Sequence, residues 1–367
     1  MQKFLSKYSS EHQEIAKSVF ENKRLSFDQA LFLYENADPI FCGLLADYKR
    51  TKLYQNKIFF NKNIHIEITN ICVNKCKFCS FFREKGQDGS WDLEAEDVLE
   101  IVKEKVSTRI TELHFTGGLH SKKTTDFYSN LFKKIKKTYP HLHIKAFTSV
   151  EIEHFSKVDG INLFELLKLL KESGLNSLAG GGAEILNDDI RKKICPEKTN
   201  SETWLQIHKY AHQLGLKTNC TMLYGHIETN KDRVKHLELL RNLQDETNGF
   251  NSFIPLKYKI QGNKLALKQE ASLIDELKNY SISRLFLDNI PHLKAYWPMC
   301  GKETALLAMS FGADDFDGTI SNTTKIYSMA GAEQKPELGC DEIKELAENA
   351  GFIAVERDSE YRELIFF

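Results

Sequence analysis

Between residues 64 and 314, short β-prone runs alternate with amphipathic stretches of helical period, and no feature of the chain restricts its fold more. The runs cover 64–69, 110–116, 142–148, 175–179, 217–223, 252–257, 283–288 and 310–314. Parallel strands cannot be joined by a tight turn and need a crossover of about a dozen residues. The stretches 93–105, 123–138, 161–173, 200–214, 230–244, 269–280 and 302–309 supply it. Eight such units predict an α/β protein with a (β/α)8 TIM-type barrel, closed or nearly so, rather than an open doubly wound sheet. Residues 1–57 read as an N-terminal helical extension, with Ser26 as an N-cap and a second run opening at Pro39. The barrel is expected over 58–320. A C-terminal extension over 321–367, with a helix stopped at Gly351, is expected to pack on it.

Composition narrows the partners. Lysine and arginine number 50 against 51 aspartates and glutamates, a formal charge of -1, so bulk electrostatics offer nothing to nucleic acid or an anionic membrane. No apolar stretch approaches the roughly 18 residues of a membrane span, and the first residues lack the apolar core of a secretory signal. A cytoplasmic protein acting on a small molecule is expected, and eight cysteines in 367 residues then describe reduced thiols rather than a disulfide framework.

Barrel chemistry gathers at the C-terminal ends of the strands. The predicted ends are polar or rich in glycine: Asn70 and a cysteine loop after the first, Thr116, Gly117 and Gly118 after the second, 148–151 after the third, and 180–184 after the fourth. Residues 224–229 follow the fifth, Lys257 ends the sixth, 288–292 follow the seventh and 314–319 the eighth. The loop after the first strand holds Cys72, Cys76 and Cys79 at CxxxCxxC spacing, with Lys75, Lys77 and Arg83 beside them. A structural zinc would need a fourth ligand, and His65 and Cys195 stand at no recognised zinc spacing. Soft thiolates from one loop suit an iron-sulfur cluster, and three of them leave one iron open. The remaining cysteines, Cys42, Cys195, Cys220, Cys300 and Cys340, are scattered and read as structural.

This loop resembles that of the radical S-adenosylmethionine (SAM) superfamily, in which such cysteines bind a [4Fe-4S] cluster whose open iron is chelated by SAM. The resemblance implies that Gly117 and Gly118 approach the methionyl group, that Glu184 meets the ribose, and that Phe78 lies by the adenine. Gly225 and Glu228 resemble a further element that supports the adenine. Read from the residues alone, the glycine pair also suits a tight turn, and Glu184 also suits the first turn of a helix. Where the superfamily carries an acidic residue after the two glycines, this chain has Leu119 and His120.

From about residue 60 to 332 the chain resembles the aminofutalosine synthase family of the futalosine route to menaquinone, through 89–93, 117–120, 144–152, 180–185, 191–196, 221–229, 243–247, 287–299 and 312–319. The cyclic dehypoxanthine futalosine synthases and the deazaflavin-forming synthases share many of these motifs, and an iron-sulfur redox sensor is the non-enzyme alternative. The resemblance implies addition of the 5'-deoxyadenosyl radical to 3-[(1-carboxyvinyl)oxy]benzoate. Aryl migration and decarboxylation would then give 6-amino-6-deoxyfutalosine, with a flavodoxin or ferredoxin as electron donor. Because that substrate brings two carboxylates, His226, Lys257, His292 and Arg233 are candidate partners for it, with Asp288 and Asn289 as orienting groups. Asp314, Asp315 and Asp317 would shape the rim, bind substrate or cap loops.

Overall fold

The computed structural model describes residues 5–106, 109–321, 323–332 and 335–364. Among the described residues three full helices come first: α1 (Ser10–Phe20), α2 (Phe27–Asn36) and α3 (Pro39–Tyr54). Ser26 and Gln29 close a reciprocal capping box on α2, and Asp38 caps α3 ahead of its first-turn proline. The barrel strands are β1 (Lys57–Glu67), β2 (Glu112–Thr116), β3 (His143–Ala146), β4 (Ser177–Leu178), β5 (Lys217–Tyr224), β6 (Phe250–Lys257), β7 (His292–Leu293) and β8 (Asp315–Ile320). Their helices are α4 (Ala95–Val106), α5 (Thr125–Thr138), α6 (Ser149–Asp159), α7 (Leu163–Glu172), α8 (Asp188–Ile194), α9 (Ser201–Gln213), α10 (Asn230–Thr247), α11 (Leu273–Phe286), α12 (Trp297–Cys300) and α13 (Lys302–Met309).

All strand pairs are parallel, in the order β7, β6, β5, β4, β3, β2, β1, β8. The ring closes between β7 and β8 through a parallel bridge, Lys294 to Asp315, with Ala295 N donating to Asp315 O at 2.8 Å. The chain is therefore an eight-stranded barrel, as the alternation predicts. On α2 and α3 the buried faces pack against α10 and α11, which places the N-terminal helices on one flank of the barrel. After β8 come α14 (Cys340–Asn349) and β9 (Ile353–Glu356), which pairs with the first residues of β1, Lys57 with Ile353 through Phe60 with Glu356.

Two strands lie elsewhere than expected. Residues 283–288 belong mainly to α11, in which every residue from Asn279 to Phe286 is buried. A helix covered on all sides loses its amphipathic period, and its apolar run then reads as a strand. Residues 310–314 form the turn after α13, with Gly312 at φ +101°, and the strand itself is the polar run beginning at Asp315. It escaped because the barrel interior here is polar. On β1, Asn61, Asn63, His65 and Glu67 share one face and are all buried. Inside the barrel the Lys145 ammonium lies 2.6 Å from Glu112, Lys294 pairs with Asp317, and Arg357, just past β9, binds Asp315 Oδ2 through Nε at 2.9 Å.

That last pair fastens the C-terminal segment to the barrel, and both partners are at most 1% exposed. Removing one member of a buried ion pair strands the other, at a cost of about 3–5 kcal/mol. Arg357→Met is therefore expected to lower the denaturation midpoint by that equivalent. An unchanged midpoint in calorimetry would show that the pair does not hold the segment.

Candidate functional site

The cysteine loop is held from several directions. At its start Asn70 is fully buried, its Nδ2 donating to Gly89 O at 2.9 Å and its Oδ1 accepting from Trp91 N at 2.9 Å. The returning chain pairs with it, Arg83 N donating to Asn70 O at 2.8 Å and Cys72 N to Arg83 O at 3.2 Å. Farther along, Val73 N reaches Leu119 O, Lys77 N reaches Ile194 O, and Cys79 N reaches Cys76 O. Burial pushes the Cys72 and Cys76 thiols upward.

All three cysteines line one cavity at the mouth of the barrel, together with Phe78, Gly117, Gly118, 180–182 and Glu184. The glycines are there for close approach. A Cβ at Gly118 would stand 2.3 Å from Ile71 O, and one at Gly117 2.8 Å from Thr69 O. Both have ordinary negative φ, so close packing against the cysteine loop, not a left-handed turn, excludes a side chain here. Gly180 backs onto Asn219 in the same way, at 2.5 Å. Arg191, 3% exposed, gathers this loop by donating to the carbonyls of Gly182, Ala183 and Thr199.

Glu184 follows in the left-handed region, φ +47°, and its carboxylate meets Lys198 Nζ at 2.5 Å. A non-glycine residue held at positive φ on a cavity wall is strained backbone of the kind found at ligand sites. The Lys198 ammonium also lies 5.1 Å from the Phe78 ring centroid. Burial alone would lower its affinity for the proton, but the Glu184 carboxylate holds it charged.

Two family models match the chain: the radical SAM superfamily over residues 66–240, and the CofH/MqnC C-terminal region over 247–365. Aminodeoxyfutalosine synthase of Thermus thermophilus is 43% identical over 354 residues, 95% of each chain. The chain belongs to the radical SAM superfamily. A second aminodeoxyfutalosine synthase, from Streptomyces coelicolor, is 37% identical over 96% of this chain and 93% of its own length. The cyclic dehypoxanthine futalosine synthase of the same organism is 35% identical, over 93% of this chain and 86% of its own. Among solved structures, methylornithine synthase superposes at a TM-score of 0.72 with 18% identity, over 93% of this chain and 97% of its own. The hydrogenase maturase of Carboxydothermus hydrogenoformans gives 0.74 with 16% identity, over 96% and 81%. At such identities these two speak for the fold alone.

As a radical SAM enzyme the protein uses a [4Fe-4S] cluster and SAM, and the residues on this wall fit both. Among the described residues no three His, Cys, Asp or Glu side chains gather in a way that could hold one metal ion. All three thiols line one cavity, and three soft thiolates from one loop suit a cluster with an open iron better than a four-coordinate zinc. Gly117 and Gly118, packed against the backbone of the cysteine loop, line the same wall.

Of the other candidates the barrel brings only Lys257 to this cavity, its Nζ 2.7 Å from Glu276. Gly225 and Glu228 lie behind the wall, where Glu228 accepts from the backbone of Gly225 at 2.6 Å and of His226 at 2.8 Å. His226 itself bonds Leu223 O and the Ile227 amide, and burial lowers its affinity for a proton. Arg233 is engaged by Glu228 and Asp275. His120 faces Asp92 at 3.5 Å outside the cavity wall.

The misplaced strands explain the rest. His292 opens β7 instead of following it, so it sits toward the far end of the barrel, 2.6 Å from Asp314 and stacked on Tyr361 with ring centroids 3.6 Å apart. Asp288 pairs with Arg24, and Asn289 with Asp245 and the carbonyl of Arg241. Asp315 is taken by Arg357 and the amide of Asp317, and Asp314 by Arg284.

Several cavity residues were given no ligand role by the sequence reading: His65, weighed only for zinc, Glu151, named only as a strand end, and His114, Lys198, Asn219, Tyr296 and Tyr327. The period-two polar residues of β1 and β2 were the available signal for the two histidines. Lys198 lies in a loop, and only Glu184 gives it a reason to be there.

Proposed function

We propose that the chain joins SAM to 3-[(1-carboxyvinyl)oxy]benzoate, giving 6-amino-6-deoxyfutalosine for menaquinone synthesis. The observation that carries this reading is the 43% identity to an aminodeoxyfutalosine synthase across 95% of both chains. Held by Cys72, Cys76 and Cys79, the cluster would supply one electron to cleave SAM to methionine and a 5'-deoxyadenosyl group that would bond to the enol-ether alkene, with aryl migration, decarboxylation and return of the electron completing the product.

The chain's part is to place and to shield. Phe78 covers the adenine, Glu184 with Lys198 holds the ribose, and Gly117 and Gly118 admit the methionyl group. Lys257, poised beside Glu276, takes the substrate carboxylate nearest the rim. Gly225 and Glu228 support the adenine from behind by fixing their turn. Water is kept out by the segment 323–327, which the Glu67 carboxylate latches through Thr324 Oγ1 at 2.6 Å and the amides of Lys325 and Ile326. A flavodoxin or ferredoxin supplies the electron.

Under anaerobic conditions with dithionite and the enol-ether benzoate, one SAM is expected to be consumed per carboxylate released, with the adenosyl group recovered in product. Hydrogen abstraction, the chemistry of the cyclising relative, releases free 5'-deoxyadenosine instead. If that were the only adenosyl product, the addition reading would fail.

A further inference from the structure

We infer that His65 and His114 form a recognition site for an aryl carboxylate at the floor of the cavity. The inference rests on the proposed substrate and deepens it, by naming what holds the end of the molecule away from the cluster.

The two residues are direct register partners on β1 and β2, two positions below Glu67 and Thr116 where those strands reach the rim. Both line the cavity that the cysteines line, and their rings meet at 4.5 Å between centroids. His65 is 4% exposed, and its Nε2 is buried with no partner among the described residues. Its Nδ1 stands 3.4 Å from the Tyr296 hydroxyl. In the tautomer that accepts from that hydroxyl, Nε2 carries the ring proton and has no partner among the described residues. The ring of His114 makes no hydrogen bond among the described residues. A buried donor left unpaired costs about 1–3 kcal/mol, and a ligand acceptor removes that cost.

The surroundings favour neutral donors here. Burial brings His65 down to about 4 and holds His114 well below the usual imidazole range. Beneath them Glu112 is bound by Lys145 and Asp317 Oδ1 by Lys294, and no hydrogen bond joins either carboxylate to an imidazole among the described residues. Between this floor and the rim the wall includes Ile254, Leu256 and Tyr296, which suits an aromatic ring. An aromatic acid would then lie with its ring on that apolar wall, its carboxylate on the histidines and its alkene toward the cysteines.

The test compares 3-[(1-carboxyvinyl)oxy]benzoate with (1-carboxyvinyl)oxybenzene, which lacks the ring carboxylate, on cluster-loaded enzyme. Wild type is expected to prefer the carboxylated compound in kcat/KM by about tenfold to a hundredfold, the range for hydrogen bonds to a charged group. His114→Phe keeps the ring contact and removes the donor, so the preference should fall to within about threefold, while His114→Gln should restore part of it. His65→Phe and His65→Gln read the same ratio from the other ring, should either His114 variant fail to bind iron. A preference equal in wild type and both phenylalanine variants would overturn the inference and leave the proposed reaction standing. Failure of wild type on both compounds would sink the reaction itself, and the inference with it.

Discussion

Cys76→Ala is expected to yield a folded protein with no bound cluster and no SAM cleavage. The side chain is 6% exposed and lost packing is small, so far-ultraviolet circular dichroism should be unchanged. The loop's backbone is pinned independently of the thiol, by Asn70, Leu119 and Ile194. Iron is therefore lost for want of a ligand and not through disorder. Cys72→Ala and Cys79→Ala should behave alike. Cys195→Ala is the contrasting case: that thiol is near enough to Cys76 to raise it electrostatically, yet it is not part of the cavity wall, so iron and sulfide content should be retained. Full iron and turnover in any of the three loop variants, or loss of iron in the Cys195 variant, would show that the ligand set is different.

The second large effect comes from a residue with no functional group. Gly118→Ala sets a methyl 2.3 Å from Ile71 O and 2.7 Å from Ile71 C, both backbone atoms of the cysteine loop's first turn. A flexible side chain could move aside, but this backbone is itself tied, because Gly118 N donates to Thr69 O at 2.7 Å and Ile71 N to Thr69 Oγ1 at 3.1 Å. Overpacking against fixed main chain costs about 3 kcal/mol, and relief requires the cysteine loop to shift. Expected together are a lower melting midpoint and incomplete cluster loading. Gly339→Ala provides the control, since a Cβ there meets nothing within 4 Å and φ is -75°. Normal iron content in Gly118→Ala would refute the claim that the glycine pair shapes the loop.

Much of the fold could be read from the alternation of runs because most β strands bury apolar residues toward the helices: Ile64, Ile66 and Ile68 on one side of the first strand, Leu113 and Phe115 on the second. The reading slipped where a second environment intruded. Tyr280, Ile282, Leu285 and Phe286 are buried against both the barrel and the N-terminal helices, so a helix imitated a strand. Asp315 and Asp317 face a polar barrel interior, so a strand imitated a loop. Those two slips moved Asp288, Asn289 and His292 from the expected rim to the opposite end. Only the cysteine loop was legible from its own spacing; Phe78, Gly117, Gly118 and Glu184 were expected through the family resemblance, and they line the same cavity. His65 and His114 were not, because the space between them is made by strands distant in sequence.

In the proposed reaction the 5' carbon of SAM becomes bonded to substrate carbon inside this cavity. SAM enriched with carbon-13 at that position, turned over with 3-[(1-carboxyvinyl)oxy]benzoate enriched at the alkene methylene, tests it in one nuclear magnetic resonance spectrum. One-bond coupling between the two labels in the product is the predicted result. Label recovered solely as an uncoupled methyl group of free 5'-deoxyadenosine would contradict it.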